Sequence, residues 1–543
     1  MAKPAKVLRV AMAQLNVVVG DIGGNAERIL AAAQRARDDL KAGIVVFPEL
    51  ALTGYPPEDL LLRAGFIDKA QHGINMLRTK LRGIDAVIGL PWREQNGLYN
   101  AALWLREGEI IGRYFKHHLP NYSVFDEKRY FQSGGAPCVI DFDGVPVGVT
   151  ICEDLWHPGP MASAAQAGAK LMLNLNASPY HIGKHQERES VLRMRVAEAP
   201  MPVVYVNLVG GQDELVFDGG SMVMNAEGRL AAREVAFEEG LFAVDFHVEQ
   251  GVRPVPKSCV MDARAEQDLY RAIVLGIRDY VNKNGFSGAV LGLSGGIDSA
   301  LTLALAVDAL GADQVEAVMM PSRYTAAMSV EDAKRQAQDM GVGFSVISIE
   351  PVFDTFLRSL RDEFKDLPPD VTEENIQARC RGVILMAISN KKRKILLTTG
   401  NKSEMAVGYA TLYGDMAGGF APIKDLPKTW VYRLARYRNS LDEVIPARVI
   451  DRPPSAELAP NQTDQDSLPP YDVLDPILEL YIEQDKEPNE IVKAGFDEAT
   501  VRKVVQMVNR NEYKRRQAPP GVRVTRRAFG RDRRYPITAK FWT

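Results

Sequence analysis

The apolar run SGAVLGL (287–293) breaks at Ser294-Gly295-Gly296 and gives way at Ile297 to a helix-spaced pattern, and this one transition restricts the chain more than any other feature. A strand that turns on two glycines into a helix opens a β-α-β unit, whose helix must cross back over the sheet before the next strand can run in the same direction. The same rhythm continues on both sides: a helix over about 263–283, the strand VEAVMMP, another helix, and the strand FSVISI. A doubly wound parallel sheet of Rossmann-like type is therefore predicted for the second half of the chain.

The loop itself, GLSGGIDS, is made of Gly292, Leu293, Ser294, Gly295, Gly296, Ile297, Asp298 and Ser299. Its glycines let backbone N–H groups close around phosphate oxygens at the positive end of the following helix. Ser294 and Ser299 add hydroxyl donors, and Asp298 stands where it can hold Mg²⁺ on those phosphates. The GK[ST] ending of a Walker A sequence is missing. An isolated Gly-Gly pair would read as a tight packing turn, but the complete SGGxDS pattern between strand and helix favours phosphate binding.

At 543 residues the chain exceeds what one hydrophobic core organises, so two domains are expected. The first half alternates β-rich runs (VLRVAMAQL, GIVVFPEL, DAVIGLPW, VPVGVTIC, KLMLNLNAS, PVVYVNLV) with helical patterns, one of them over about 25–40. Two hairpins are predicted to turn at Glu107-Gly108 and Glu227-Gly228, which makes this half a layered α/β domain with a mixed sheet. The stretch GVRPVPK marks a boundary, giving domains at 1–250 and 265–543 joined by a linker at 251–264. The proline-rich segment 452–472 reads as a lid.

A net charge of −3 offers no general attraction to nucleic acid or to an anionic membrane. Between Tyr513 and Arg534, however, nine Lys and Arg residues stand against the single Asp532, a run that suits water, an anionic ligand or a subunit contact. The four cysteines (Cys138, Cys152, Cys259, Cys380) are far apart with no CxxC pair, so neither disulfides nor a zinc site is predicted. His181 and His185 lack an HExxH context and add no zinc site. The opening residues do not form a secretory signal, and no apolar stretch is long enough to span a bilayer. A cytoplasmic location is predicted.

Three strand ends in the first half carry reactive side chains: Glu49 in FPEL, Lys116 after GRYF, and Cys152 after VPVGVTI. A lone cysteine in such a place is ordinarily core. A nucleophilic role needs a base and a charge-stabilising partner, and the other two positions supply those residue types.

The SGGxDS loop resembles the signature of the N-type ATP pyrophosphatases, which split ATP between its α and β phosphates and leave an adenylated substrate. The segments TEENIQARCRG (372–382), LLTTGNKSEMAVGYATLYGDMAGGFAPIKDLPKTWVYRLA (396–435), PSAEL and EYKRRQAPPG are similar to those of NAD⁺ synthetases. Position by position, this resemblance implies that Thr399 contacts ATP and that Asn375, Arg379, Glu404 and Lys514 contact deamido-NAD⁺ and its phosphates. It also implies Mg²⁺ at Asp298 and Glu404, although Glu404 alone would pass for an exposed helix acid.

Glu49, Lys116 and Cys152 resemble the Glu-Lys-Cys set of the nitrilase (carbon-nitrogen hydrolase) superfamily, whose fold is an α-β-β-α sandwich. There the glutamate takes the thiol proton, the cysteine attacks an amide carbonyl, and the lysine stabilises the oxyanion. The segments NASPYHIGKHQER and VGGQDELVFDGGS are similar to those of glutaminase domains attached to NAD⁺ synthetases, with Tyr122, Ser178 and Lys184 at the glutamine-binding positions.

Over nearly its full length the chain thus resembles the glutamine-dependent NAD⁺ synthetases. The resemblance implies amidation of deamido-NAD⁺ through an adenylate, with ammonia from glutamine, a shielded ammonia path and a homo-oligomeric assembly. Another amidotransferase of the same ATP class is the main alternative, against which TEENIQAR, GNKSE and EYKRRQ stand. An idle nitrilase-like module is a second, against which the complete Glu49, Lys116 and Cys152 set stands.

Overall fold

The computed structural model describes residues 6–257, 264–460 and 462–540, so Cys259 and part of the predicted linker lie outside the described residues. The chain divides into two compact units, Met1–Ala263 and Arg264–Thr543.

In the first unit two sheets lie face to face. One has seven strands in the order Arg253–Pro254, Gly240–His247, Val7–Gln14, Ile44–Val46, Asp85–Glu94, Gly97–Arg106, Glu109–Phe115. The other has six, in the order Leu230–Arg233, Met222–Met224, Val203–Asn207, Leu171–Asn176, Val145–Ile151, Cys138–Phe142. Period-two alternation sorts their side chains: Val10, Met12, Val147 and Leu173 fill the space between the sheets. Ala11 and Ala13 face outward to the helices Ile22–Asp38 and Ala64–Lys80, while Met172 and Tyr205 face Pro160–Gln166 and Lys184–Glu198. The result is the α-β-β-α layering the sequence implied. Each fully buried aliphatic side chain contributes about 1.5–3 kcal/mol, so a one-residue slip, which would turn an inward set outward, is excluded.

The hairpin at Glu107-Gly108 has both central residues at positive φ (47° and 86°), as a two-residue type I′ turn requires. The second hairpin spreads over residues 225–229, where Asn225 Oδ1 accepts from the N–H groups of Glu227 and Arg229. Arg253 and Pro254, placed in the linker from sequence, instead pair with Gly240–His247 at the sheet edge, where a proline lacking its N–H is tolerated.

The second unit is built on four parallel strands in the order Gly343–Val346, Val315–Met319, Ala289–Gly292, Ile395–Leu397. The chain winds outward through the first three and then returns to the other side of Ala289–Gly292. That reversal is the topological switch point, where open parallel sheets bind ligands beyond the carboxyl ends of their strands. The helix Ile297–Leu310 starts there.

The described residues of 452–470 form no helix beyond one 3₁₀ turn at Asp464–Asp466, but they are tied down. Gln377 Nε2 donates to the Leu458 carbonyl at 3.0 Å and Gln462 Nε2 to Glu374 at 3.1 Å. The basic run near the C-terminus is divided: Arg515, Arg523 and Arg533 are buried while Arg516, Arg526 and Arg534 are exposed, with Arg523 pairing with Asp532 at 2.6 Å and Arg515, Arg516 and Arg533 converging on Glu512. Among the described residues no helix is long and apolar enough to cross a membrane.

Candidate functional site

The strands of the first unit bring Glu49, Lys116 and Cys152 to one centre. Glu49 follows Ile44–Val46 by three residues, and its backbone approaches Gly89 so closely that any Cβ there would collide with Pro48 and Glu49. Lys116 directly follows Glu109–Phe115, and its N–H donates to the carbonyl of Asn100 on the adjacent strand at 2.9 Å. Cys152 ends the strand Val145–Ile151 and opens a 3₁₀ turn with φ at 41°, a left-handed conformation for a non-glycine residue.

The Lys116 ammonium donates to Glu49 Oε1 at 2.6 Å and to Glu127 Oε1 and Oε2 at 2.8 and 2.9 Å. Asn100 Nδ2 also donates to Glu49 Oε1 at 2.7 Å, while the Ala177 N–H holds Oε2 at 3.0 Å. Tyr55 donates to Glu127 at 2.8 Å. Burial works to strip the Lys116 proton, but Glu127 and Glu49 overcome it and hold the group well above the ordinary lysine range. Burial, reinforced by Glu49 and opposed by Lys116, pushes the Cys152 thiol well up, so it rests neutral and must lose its proton as it attacks. A carboxylate base, a fixed cation and a protonated thiol therefore share one buried centre. Glu127 and Asn100 escaped the sequence reading, because neither stands at a motif spacing: Glu127 opens a short 3₁₀ turn eleven residues after Lys116.

Around this centre, Tyr122 OH donates to both Glu153 oxygens at 3.1 Å, next to Cys152 in sequence. Lys184 Nζ lies 3.9 Å from the Trp156 ring centroid and 3.2 Å from Glu187. Tyr122 and Lys184 both lie within electrostatic range of the Cys152 side chain, and Ser178 adjoins the Ala177 amide that holds Glu49. The three predicted glutamine contacts thus gather at one place.

In the second unit the phosphate loop stands at the switch point. Gly295 has φ at 80° and lies so close to the Ser329 carbonyl that a side chain would not fit. Ser294 Oγ and Ser299 Oγ are 3.1 Å apart, and the Gly296 N–H donates to Ser294 Oγ at 3.2 Å. From the side, Arg452 donates to the Gly295 carbonyl and, at 2.9 Å, to Ser329 Oγ, which itself donates to Glu457 at 2.6 Å. The predicted lid therefore touches the loop directly.

Asp298 and Glu404, expected to share a metal, meet across Lys428. Its ammonium donates to Asp298 Oδ2 and to Glu404 Oε1, the latter at 3.3 Å, and Asn401 Nδ2 holds Asp298 Oδ1 at 2.9 Å. Burial, partly relieved by Lys428 and reinforced by Asp298 and Asp464, raises the Glu404 carboxyl to about 8. Lys428 and Asn401 were not singled out from sequence, although both lie inside the segment 396–435 that carried the resemblance. Among the described residues no group of three or more His, Cys, Asp or Glu is arranged to hold a metal ion, so Asp298 and Glu404 stand as a pair.

Asn375 and Arg379, one turn apart on the helix Val371–Lys392, both grip the segment beside this pair. Asn375 Oδ1 accepts from Thr411 at 2.8 Å and Arg379 Nε donates to the Leu412 carbonyl at 3.2 Å. Lys514 Nζ donates to the carbonyls of Gly408 and Ala410 at 2.8 and 2.7 Å. Three residues expected on the substrate thus all hold residues 408–412. A cleft lined by Thr398, Gly400, Glu404, Tyr409, Asp415 and Lys424 opens next to it, with Thr399 half-buried at its edge. Burial raises Asp415 there to about 6.

Residues 9–252 match the carbon-nitrogen hydrolase family and residues 269–518 match NAD synthase. The chain is 52% identical to a glutamine-dependent NAD⁺ synthetase of Xanthomonas campestris pv. campestris, over 99% of this chain and 98% of the relative. It is 48% identical to that of Aquifex aeolicus, over 99% of this chain and 100% of the relative. The chain belongs to the glutamine-dependent NAD⁺ synthetases. Among solved structures, the glutamine-dependent NAD⁺ synthetase of Acinetobacter baumannii in complex with ADP is similar at 45% identity and a TM-score of 0.81, covering 99% of each chain. The synthetase of Cytophaga hutchinsonii, only 23% identical, shares the fold at a TM-score of 0.85 over 98% of each chain.

Proposed function

We propose that the two units carry out successive halves of one amidation, with residues 1–250 as the glutaminase, 265–543 as the synthetase and 251–264 as the linker. The observation that supports this most is that one chain holds both a buried Glu49-Lys116 pair beside Cys152 and a phosphate loop whose Asp298 shares an ammonium with Glu404.

In the first unit Cys152 Sγ attacks the side-chain amide carbon of glutamine while Glu49 takes the thiol proton and Lys116 faces the developing oxyanion. The C–N bond then breaks with that proton passed to nitrogen, ammonia leaves, and water cleaves the thioester to glutamate. Tyr122, Ser178 and Lys184 hold the amino-acid end. In the second unit a carboxylate oxygen of deamido-NAD⁺ attacks the α-phosphorus of ATP and pyrophosphate leaves from the loop Gly292–Ser299. Ammonia then attacks the activated carbonyl and AMP departs, leaving NAD⁺. Thr399 belongs to the ATP side, and Asn375, Arg379, Glu404 and Lys514 to the dinucleotide side.

The residues present fit Mg²⁺. Two carboxylates already converge on one cationic group, and this ion takes only one or two protein carboxylates beside water and phosphate oxygens. When bound at Asp298 and Glu404 it neutralises phosphate charge. A shielded ammonia path, a homo-oligomeric assembly and a cytoplasmic location belong to the same proposal.

The test is to measure NAD⁺ and AMP formed from deamido-NAD⁺ and ATP, with glutamine or with ammonia. Cys152→Ala should abolish glutamine-driven synthesis, a loss of about a thousandfold or more, and retain ammonia-driven synthesis. Unchanged use of glutamine by Cys152→Ala would refute the nucleophile assignment.

A further inference from the structure

Arg188 lies on the helix Lys184–Glu198, one turn beyond Lys184, and is 2% exposed. Its guanidinium forms a two-pronged pair with the buried Asp218, Nη1 to Oδ2 at 2.7 Å and Nη2 to Oδ1 at 2.8 Å. Its other hydrogen bonds centre on Ser178. Nε donates to Ser178 Oγ at 3.2 Å, and Nη2 donates to the Ser178 carbonyl at 2.8 Å, with the Pro179 carbonyl at 3.4 Å. Asn207 completes the grip: its Oδ1 accepts from the Ser178 N–H at 3.0 Å, and its Nδ2 donates to the Ser178 carbonyl at 3.3 Å and to the Gly219 carbonyl at 3.1 Å. The Ser178 N–H, its carbonyl and one acceptor site of its hydroxyl are thus held by two side chains that are themselves anchored, with Tyr205 beside the same hydroxyl.

Two consequences follow from this geometry. Arginine can only donate, so the Ser178 oxygen spends an acceptor site on Nε and its own proton is turned to other groups. With one acceptor site taken, Ser178 keeps its proton to donate, which suits a carboxylate. In addition, the segment fixed by Arg188 includes Ala177, whose N–H holds Glu49 Oε2 at 3.0 Å.

We propose that Arg188, locked by Asp218, is the positioning residue that orients Ser178 toward the α-carboxylate of glutamine and so sets the amino-acid specificity of the glutaminase centre. This rests on the reading above that Ser178 contacts glutamine. Arg188 touches neither the thiol nor the reacting amide; it acts through Ser178.

The experiment compares Arg188→Met, Arg188→Lys, Ser178→Ala and the double variant Arg188→Met/Ser178→Ala in the full chain. Glutamine-driven and ammonia-driven NAD⁺ synthesis are measured, together with the rate at which iodoacetamide alkylates Cys152. Loss of the charged fork should raise the glutamine KM about tenfold or more, with kcat changing much less and ammonia-driven synthesis unchanged. Ser178→Ala should raise KM by a similar factor, and adding Arg188→Met to it should have little further effect, because both changes remove one interaction. Arg188→Lys keeps the charge on Asp218 but lacks the second donor, so its KM should rise while Cys152 is alkylated as fast as in the unaltered chain. This variant decides the matter if Arg188→Met fails to fold. A wild-type KM in Arg188→Lys, or full additivity in the double variant, overturns the positioning role. A wild-type KM in Ser178→Ala removes the glutamine-site reading and this proposal together. A raised KM in Ser178→Ala with none in Arg188→Met or Arg188→Lys overturns the proposal alone.

Discussion

At Cys152 the ammonium of Lys116 is enclosed by Glu49 and Glu127, and none of the three side chains is more than 6% exposed. At the phosphate loop the ammonium of Lys428 is just as buried, but its carboxylates Asp298 and Glu404 are 18% and 17% exposed, with Asp464 close enough to raise Glu404 further. The same three-charge arrangement thus occurs twice, closed in one unit and open in the other. The closed set has its hydrogen-bonding capacity filled by Asn100, Tyr55 and the Ala177 amide, and it suits a substrate that arrives as a neutral amide. The open set leaves both of its carboxyl groups partly exposed, which suits a ligand that brings phosphate and cation together.

The largest effect that could break this comparison is expected at Lys428. Lys428→Met leaves Asp298 and Glu404 facing each other, and AMP formation should fall by about 10²–10³ whether glutamine or ammonia supplies nitrogen. A loss confined to the glutamine-driven reaction would show that the open set is not where phosphate is handled. Next in size is Glu127→Gln, which removes one of the two carboxylates that hold Lys116. Glutamine-driven synthesis should drop by up to about 100-fold with ammonia-driven synthesis intact, and a parallel drop in both would contradict the closed character of the first centre.

The smallest effect is a pH dependence. The Glu404 carboxyl, near 8 in the folded chain, is protonated at neutral pH. A raised carboxyl favours the folded ligand-free unit below the ordinary carboxylate range, and that contribution is lost as pH rises through about 8. Mg²⁺ must displace the same proton, so its apparent affinity, measured by titrating Mg²⁺ into the ATP-dependent reaction, should rise about fivefold from pH 7 to pH 8 and level off about twofold higher, above pH 9. Glu404→Gln should flatten this profile; a profile equally steep in that variant would assign the proton elsewhere.

Much of the architecture could be read from periodicity. The strand-loop-helix at Gly292–Ser299 required a parallel sheet, and the inward and outward sets of Val7–Gln14 alternate as written. Residues delivered by strand ends were legible for the same reason: Glu49, Lys116 and Cys152 each follow an apolar run. What escaped came from irregular chain or from long-range pairing. Glu127 opens a three-residue 3₁₀ turn, Arg188 looks like any polar residue on a helix mostly exposed by composition, and the basic run at 514–534 gave no hint that Glu512 and Asp532 would draw Arg515, Arg523 and Arg533 inward. Such partners are fixed by tertiary neighbours, which neither a period nor a spacing encodes. Arg253 and Pro254 show the converse: within a stretch whose composition marks a linker, an available sheet edge recruits two residues into a strand pair.

The left-handed backbone of Cys152 has a meaning beyond its chemistry. A φ of 41° costs an L-residue about 1–2 kcal/mol, which the surrounding sheets must offset whenever the unit folds. The aim of the sulfur is therefore stored in main-chain tension, present before any ligand arrives, and an alanine at this position would inherit the tension without the reactivity. Only glycine would release it. Fold stability and nucleophile placement pull against each other at this residue, and the molecule retains the less relaxed of the two backbones.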